Sequence, residues 1–271
     1  MRALNEQTIL ITGATDGLGR RVAADLAEHG ARVLVHGRNQ AKLDETLAEV
    51  PGGVGYLADL SSLVETRRLA DEVAAAHERL DVLVNNAGIG FGAPGSGRQE
   101  SADGYELRFA VNYLAPFLLS RQLLPLLEKS APARIVNVSS VGQEPIDFED
   151  VMLERSYDGM KAYRRSKLAQ IMFTFELAAR LEGSGVTVNA VHPASLMPTR
   201  MVAEARVHTI STVEEGAASV ERLVADPELE EVSGLYFDQL EEASALPQAY
   251  EVETRARLWR LSEQLVDRAL R

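Results

Sequence analysis

A tyrosine and a lysine in the second half of the chain have the spacing of a proton-transfer pair. Tyr163 and Lys167 lie four residues apart in a helix-like stretch, so their side chains share one helical face. An ammonium group in that position favours the phenolate electrostatically. Such help is needed, because bringing a phenol pKa from about 10 to neutrality takes about 4 kcal/mol. The alternative is an ordinary tyrosine–lysine pair on the protein surface.

A glycine-rich loop near the N-terminus has the composition of a phosphate-binding turn. The segment Thr12–Gly19 reads TGATDGLG and joins an apolar run to an amphipathic stretch. Its glycines permit a tight turn and a close approach of backbone N–H groups to a pyrophosphate at the start of the following helix. The spacing departs from the G-x-G-x-x-G dinucleotide pattern, and a plain turn is the alternative.

Apolar β-branched runs alternate with amphipathic stretches along most of the sequence. The predicted strands are Thr8–Thr12, Arg32–Val35, Val54–Ala58, Asp81–Asn85, Arg134–Ser139, Val186–Val191 and Leu235–Phe237. Strands separated by helices imply parallel units with right-handed crossovers. The sequence therefore predicts one α/β domain over residues 1–271, a doubly wound parallel sheet of about seven strands with helices on both faces. A C-terminal helix at about 251–270 should pack on this domain or at an interface.

Composition and charge exclude several classes of protein. The chain has 271 residues, no cysteine and a formal net charge of −12. The lack of cysteine excludes disulfides, thiolate metal sites and a cysteine nucleophile, and the acid excess argues against binding to nucleic acid or anionic membranes. The N-terminal residues show no signal-peptide pattern, and no apolar run reaches about 18 residues. We therefore expect a cytoplasmic protein with no metal site, no nucleic-acid partner and no membrane association.

Three further motifs follow the glycine loop in the order of one protein family. They are Asn85–Gly88 (NNAG) after the fourth strand, Val138–Ser140 (VSS) at the end of the fifth and Tyr163–Lys167 (YRRSK) in the next helix. With the glycine loop, they resemble the short-chain dehydrogenase/reductase family over about residues 8–237. Within that family, Ala162–Gln170 (AYRRSKLAQ) is similar to the retinol-dehydrogenase-like branch. The separation of 23 residues between Ser140 and Tyr163 exceeds the commoner spacing and indicates an insertion at Asp147–Arg155.

The resemblance implies a Rossmann-like domain that transfers a hydride between NADP(H) and the carbonyl or alcohol group of a small, apolar substrate. Tyr163 would be the acid or base, assisted by Lys167. Asn112 matches the asparagine that holds a proton-relay water, and a surface amide is the alternative. Ser140 would donate to the substrate oxygen. Ser139 competes for that role, since both serines end a strand and only one can face the cleft; the family pattern favours Ser140.

The resemblance also implies a set of cofactor contacts. Arg38 follows the second strand, and no acidic residue occurs between Arg32 and Asp44. A basic residue here attracts a 2′-phosphate, so NADP(H) is preferred over NAD(H), unless Arg38 is only a solvated surface residue. Asp59 would accept from the adenine amine or else cap the next helix. The predicted cofactor-binding residues are Gly13, Thr15, Asp16, Gly17, Leu18, Gly19, Arg38, Asp59, Leu60, Asn86, Ala87, Gly88, Tyr163, Lys167, Pro193 and Thr199.

The loop after the sixth strand departs from the family pattern. Ala194 stands where the family has glycine, and Thr199 lies one position later than usual, which weakens its assignment to the pyrophosphate. Several loops carry apolar side chains that should border a substrate pocket. These are Phe91, Phe148, Met152, Leu196, Met197 and Met201.

Two other functions are compatible with the same motifs. A non-catalytic, NADP(H)-binding redox sensor would keep the fold but has no need of all four groups Asn112, Ser140, Tyr163 and Lys167. A sugar-nucleotide epimerase of the extended relatives would show a different glycine spacing and a longer C-terminal part. Relatives in the family are often dimers or tetramers, so the resemblance also implies a homo-oligomer with a small-molecule substrate as its partner.

Overall fold

An eight-stranded sheet runs through the centre of the computed structural model, which describes residues 1–271. The strands are β1 Thr8–Ile11, β2 Arg32–Gly37, β3 Val54–Leu57, β4 Val82–Asn85, β5 Ala133–Val138, β6 Val186–His192, β7 Tyr236–Asp238 and β8 Glu241–Ala243. Their order across the sheet is β3-β2-β1-β4-β5-β6-β7-β8. All neighbours pair in parallel except β7 and β8. The first seven strands therefore present their carboxyl ends at one edge, where ligands bind in such folds.

Helices cover both faces of this sheet. They are α1 Gly17–Glu28, α2 Gln40–Leu47, α3 Leu63–Ala76, α4 Leu107–Phe109, α5 Ala115–Ser130, α6 Gly159–Arg180, α7 Arg200–Ala205, α8 Val213–Ala225 and α9 Val252–Ala269. A π-helical segment, Ala110–Leu114, joins α4 to α5. One core lies between the sheet and α1, α2 and α8, and the other lies between the sheet and α3, α5, α6 and α9.

The alternation of side chains along each strand explains why the central strands are apolar throughout. In β1, Ile9 and Ile11 pack into the core under α1 and α8, whereas Leu10 packs into the core on the opposite face. A strand that is buried on both faces has no polar positions to alternate with its apolar ones. Burial on both faces therefore accounts for the apolar runs in the sequence.

The predicted fold class is confirmed, with two differences in detail. The sheet has eight strands rather than about seven, because β7 turns back into the short antiparallel strand β8. The sequence of β8 is Glu241–Ala243, and its two glutamates are exposed, so it carries no apolar pattern. Helix α1 begins at Gly17, inside the segment Thr12–Gly19 that is predicted as a loop, so the end of the glycine loop forms the first helical turn.

A buried histidine holds three of the loops at the carboxyl edge together. Nδ1 of His36 accepts the Gly13 N–H at 3.1 Å, so the ring proton lies on Nε2, which donates to the Ala58 carbonyl at 3.0 Å. The next residue, Gly37, is packed under Thr15, whose Cγ2 would lie 2.4 Å from a Cβ at that position. A neutral imidazole therefore links the loops that follow β1, β2 and β3.

Replacing His36 by glutamine should change how stability depends on pH. Burial lowers the pKa of His36 from 6.5 to about 4, so unfolding takes up a proton below pH 6.5 and the wild type loses about 3 kcal/mol between pH 6.5 and 4. We expect His36→Gln to be less stable near pH 7 and to lack this loss. In urea unfolding, the difference in unfolding free energy between wild type and His36→Gln should shrink by about 3 kcal/mol from pH 7 to pH 4. The exposed His29 gives the control His29→Gln, and a constant deficit for His36→Gln would contradict the assignment.

Candidate active site

The glycine loop is bonded directly to the segment that follows β4. Nδ2 of Asn86 donates to the carbonyls of Thr12 and Gly13 at 2.8 and 3.1 Å. Gly13 has φ +64°, in the left-handed region, and a Cβ at Gly19 would lie 2.3 Å from the Asn86 amide nitrogen. Two of the predicted glycines are thus required by conformation or by close packing.

The start of α1 has no side-chain cap in the usual sense. Its N-cap, Asp16, makes no capping hydrogen bond and instead pairs with Lys42 at 2.5 Å. An uncapped helix N-terminus with positive dipole can accept phosphate oxygens. Thr199 lies against the same loop, with its Cγ2 3.0 Å from the position of a Cβ on Gly17. Thr199 comes one position later in the sequence than in the family pattern, but its side chain still lies beside the glycine loop.

The loops after β1, β2, β3, β4 and β6 carry the remaining predicted cofactor residues, and all emerge at the same edge of the sheet. Arg38 is exposed just beyond β2. Asp59 accepts from the Ser61 N–H at 2.9 Å, while the following helix α3 is capped by Ser62, whose hydroxyl accepts the Glu65 N–H. The structure therefore excludes the alternative that Asp59 is the cap of α3.

The lysine of the proton-transfer pair is buried without a carboxylate partner. Lys167 is 3% exposed, and its Nζ donates to the Val138 carbonyl at 2.7 Å and to Oε1 of Gln170 at 3.2 Å. Nζ lies 6.0 Å from the ring centre of Tyr163. Burial lowers the pKa of Lys167 from 10.5 to about 7. Two neutral oxygens are thus the groups that keep this ammonium charged.

In the protein chain, the pKa of Tyr163 moves in the direction opposite to that expected from a neighbouring ammonium group. Burial raises the pKa of its phenol, and a hydrogen bond with Ser140 offsets only part of that rise. Lys167 is not among the groups that shift the Tyr163 pKa in the protein chain, and its own pKa is lowered by burial. Tyr163 is accordingly a protonated acid near neutral pH.

The two serines at the end of β5 point to different neighbours. Ser139 donates through Oγ to the Lys167 carbonyl at 3.0 Å, so its hydroxyl is occupied by the backbone of α6. Oγ of Ser140 accepts the Gly142 N–H at 3.0 Å and lies beside Tyr163. Accepting this N–H leaves the Ser140 hydroxyl proton available for donation, and the Tyr163 oxygen is within its reach.

Asn112 is fully buried in the π-helical segment, which excludes a surface amide. Its Oδ1 accepts the Ile89 N–H at 2.8 Å, and Nδ2 donates to the Ile89 carbonyl at 3.0 Å and to Oγ of Ser166 at 2.9 Å. The side chain therefore fixes the backbone just after the NNAG motif. Both Nδ2 protons are used in these bonds, so a water could bind this side chain only at the second lone pair of Oδ1.

Two contributors to this site were missed in the sequence. Gln170 was visible as a lone glutamine among the apolar residues of α6, and His36 as a lone histidine at the end of an apolar strand. Both are buried. A polar residue in an otherwise apolar run signals a buried hydrogen-bonding role, but the periodicity does not say which group it meets.

A cavity of about 490 Å³ lies under the loop that follows β4, and its wall includes Phe91, Arg98, Tyr157 and Met160. The Phe91 ring meets the Tyr163 ring edge-on, with centres 6.0 Å apart. Of the six apolar residues predicted at the pocket, Phe91 is the one in this wall. Met201 packs on Gly90, and Met197 packs on Gly216 below α1 and α8. The wall of this cavity therefore holds fewer of the predicted apolar side chains than expected.

Other features bear on metals and membranes. No group of three or more His, Asp or Glu side chains is arranged to hold a metal ion. None of the helices is both long enough and apolar enough to span a bilayer.

The Lys167 environment predicts a titration that can be measured without a substrate. The chain has four lysines, so selectively labelled side chains give four NMR signals. We expect the Lys167 signal to titrate near pH 7. Gln170→Met removes an acceptor and should lower that midpoint, whereas Gln170→Glu adds a negative charge and should raise it. The other three lysines are internal controls, and a Lys167 midpoint that ignores both changes would contradict the role of Gln170.

Comparison with known proteins agrees with this geometry. The sequence model for short chain dehydrogenases matches residues 7–209. Human retinol dehydrogenase 14 is 40% identical, over 97% of this chain and 87% of its own, and mouse retinol dehydrogenase 13 is 37% identical, over 97% and 85%.

Solved structures agree as well. An uncharacterized protein from Mycobacterium paratuberculosis has a TM-score of 0.80 at 30% identity, covering 97% of this chain and 94% of its own. The RhlG/NADP active-site complex from Pseudomonas aeruginosa has a TM-score of 0.71 at 30% identity, covering 88% and 97%. The chain therefore belongs to the short-chain dehydrogenase/reductase family and is retinol-dehydrogenase-like.

Proposed function

We propose that this protein is an NADP(H)-dependent carbonyl reductase or alcohol dehydrogenase. The observation that carries the proposal is the convergence of Ser140, Tyr163 and Lys167 beside the NNAG segment, which is itself bonded to the glycine loop. Relatives named as retinol dehydrogenases and a structural neighbour solved with NADP support the same chemistry.

The residues at the carboxyl edge suit a dinucleotide. The uncapped start of α1 suits a pyrophosphate, and Arg38 suits a 2′-phosphate. A Cβ at Gly88 would lie 3.4 Å from Oδ1 of Asn112 and 3.7 Å from Nζ of Lys167, so a glycine keeps the space beside the lysine open. When bound there, the nicotinamide would supply or accept the hydride.

The protein's own part is to handle the proton and to polarise the carbonyl. The phenol of Tyr163 would give its proton to the substrate oxygen during reduction. Ser140 would donate its hydroxyl proton in a hydrogen bond to the same oxygen, stabilising the developing charge. Lys167 would stabilise the phenolate that remains, and the Val138 carbonyl and Gln170 keep that ammonium in place.

Removing the phenolic hydroxyl should abolish turnover but leave cofactor binding. We expect Tyr163→Phe to lower kcat about 10³-fold or more with NADPH and a panel of aldehydes and ketones that includes retinal, since general acid catalysis contributes 10²–10⁴-fold. Its NADPH affinity by calorimetry should stay within about threefold, because no new charge is introduced. The control is Tyr56→Phe, at a buried tyrosine on β3 that bonds His77. Undiminished turnover in Tyr163→Phe would refute the assignment.

Removing the positive charge beyond β2 should weaken NADPH selectively. We expect wild-type protein to bind NADPH more tightly than NADH, and Arg38→Ala to lose about 10-fold to 100-fold for NADPH alone, as a charge-assisted contact is worth about 1.5–3 kcal/mol. Arg32→Ala, at the exposed opposite end of β2, is the matched control. A wild-type preference for NADH would overturn the Arg38 assignment. Tight cofactor binding without turnover of any carbonyl would instead favour the redox-sensor alternative.

A further inference from the structure

A second cavity, of about 220 Å³, lies on the other side of the catalytic serine. It is lined by Val141, Gln143, Tyr236, Asp238 and the segment 243–246. We call this cavity the small cavity, and we call the cavity described above, whose wall includes Phe91, the large cavity. The two flank the Ser140–Tyr163 pair along the carboxyl edge of the sheet.

One short turn separates the small cavity from the reacting groups. The turn runs from Val141 to Gln143, directly after Ser140, and Oε1 of Gln143 accepts the Leu246 N–H at 2.8 Å. At its centre, a Cβ on Gly142 would lie 3.3 Å from Oγ of Ser140 and 3.7 Å from the Tyr163 ring. Because residue 142 is glycine, the passage between the serine hydroxyl and the cavity wall is free of a side chain.

Two buried polar groups on one face of β7 form the inner wall of this cavity. Tyr236 is 2% exposed, and its hydroxyl has no well-aligned hydrogen-bond partner, although the Gln143 amide lies beside it. Asp238, two residues on, shares the strand face with Tyr236, and its Oδ1 is buried with no partner. A buried polar group without a partner costs stability, and two on one wall indicate a ligand that pairs with them.

Asp238 has no cation to neutralise it. Its register neighbour on β6 is His192, whose pKa is lowered by burial despite the nearby carboxylate. The His192 ring, with Nε2 2.9 Å from Oγ of Ser195, forms no salt bridge with Asp238. The carboxylate therefore remains an acceptor for a hydrogen-bond donor, and the Tyr236 hydroxyl can both donate and accept.

We propose that the small cavity is a substrate subsite for a hydroxyl or a protonated amine close to the reacting carbonyl. The inference rests on the proposed function, because it takes the carbonyl to lie on Ser140 and Tyr163. A hydroxyl donates to Asp238 and pairs with Tyr236, whereas an ammonium pairs with Asp238. The rest of the substrate extends past Phe91 into the large cavity.

The test compares ketones that differ in one group. With NADPH, kcat/KM is measured for 1-phenylethanone, 2-hydroxy-1-phenylethanone and 2-amino-1-phenylethanone in wild type, Tyr236→Phe and Asp238→Asn. We expect the hydroxyketone-to-ketone ratio to fall about 10-fold in each variant, and the aminoketone-to-ketone ratio to fall further in Asp238→Asn. General damage to the fold lowers both members of a ratio equally, so it does not mimic this result. Tyr56→Phe should leave both ratios at their wild-type values.

Binding gives a readout that does not depend on turnover. The alcohols 1-phenylethanol and 1-phenylethane-1,2-diol are titrated by calorimetry, and the diol should bind about 10-fold more tightly, with the advantage lost in Tyr236→Phe. Unchanged ratios and equal or absent binding would overturn the subsite. Selective diol binding without NADPH-linked turnover of any carbonyl would support the subsite while refuting the proposed oxidoreductase function.

Discussion

The burial of the Lys167 ammonium is the constraint around which the candidate site is built. A charged amine removed from water must find compensating partners or lose its proton. Here the partners are a backbone carbonyl at the end of β5 and the Gln170 side chain one turn along α6. Ser139 ties the lysine carbonyl to the same strand end. The packing of α6 on β5 thereby fixes the ammonium where its charge is sensitive to whatever lies beside it.

The positions of the motif residues were predictable, because parallel strands bring the loops at their carboxyl ends to the same edge of the sheet. Once Asn86 follows β4 and Gly13 follows β1, adjacent carboxyl ends bring them together, as their hydrogen bonds show. Strand β8 was not predictable, since Glu241–Ala243 has an exposed edge position and no apolar repeat. Likewise, whether the Tyr236 hydroxyl finds a hydrogen-bond partner depends on which helices and loops pack against β7. That is a tertiary property with no local sequence signature.

The C-terminal helix is a second case in which the sequence pattern does not identify the packing partner. Its apolar stripe predicted packing on the domain or at an interface, and periodicity cannot separate the two. In the structure, Trp259 of α9 packs against Phe117 of α5 and Phe173 of α6, and the Arg180 guanidinium lies 4.0 Å from the Trp259 ring centre. The chain thus uses this stripe to cover the aromatic side of its own core.

The ionisation of Tyr163 and that of Lys167 are linked through burial. Burial raises the pKa of the Tyr163 phenol, so it stays protonated near neutral pH. Under the proposed function, the same phenol gives up this proton when a carbonyl is reduced and takes it back when an alcohol is oxidised, so one ionisation serves both directions. Because burial brings the pKa of Lys167 to about 7, the lysine charge falls as pH rises through that value, and a phenolate formed beside it loses that electrostatic support.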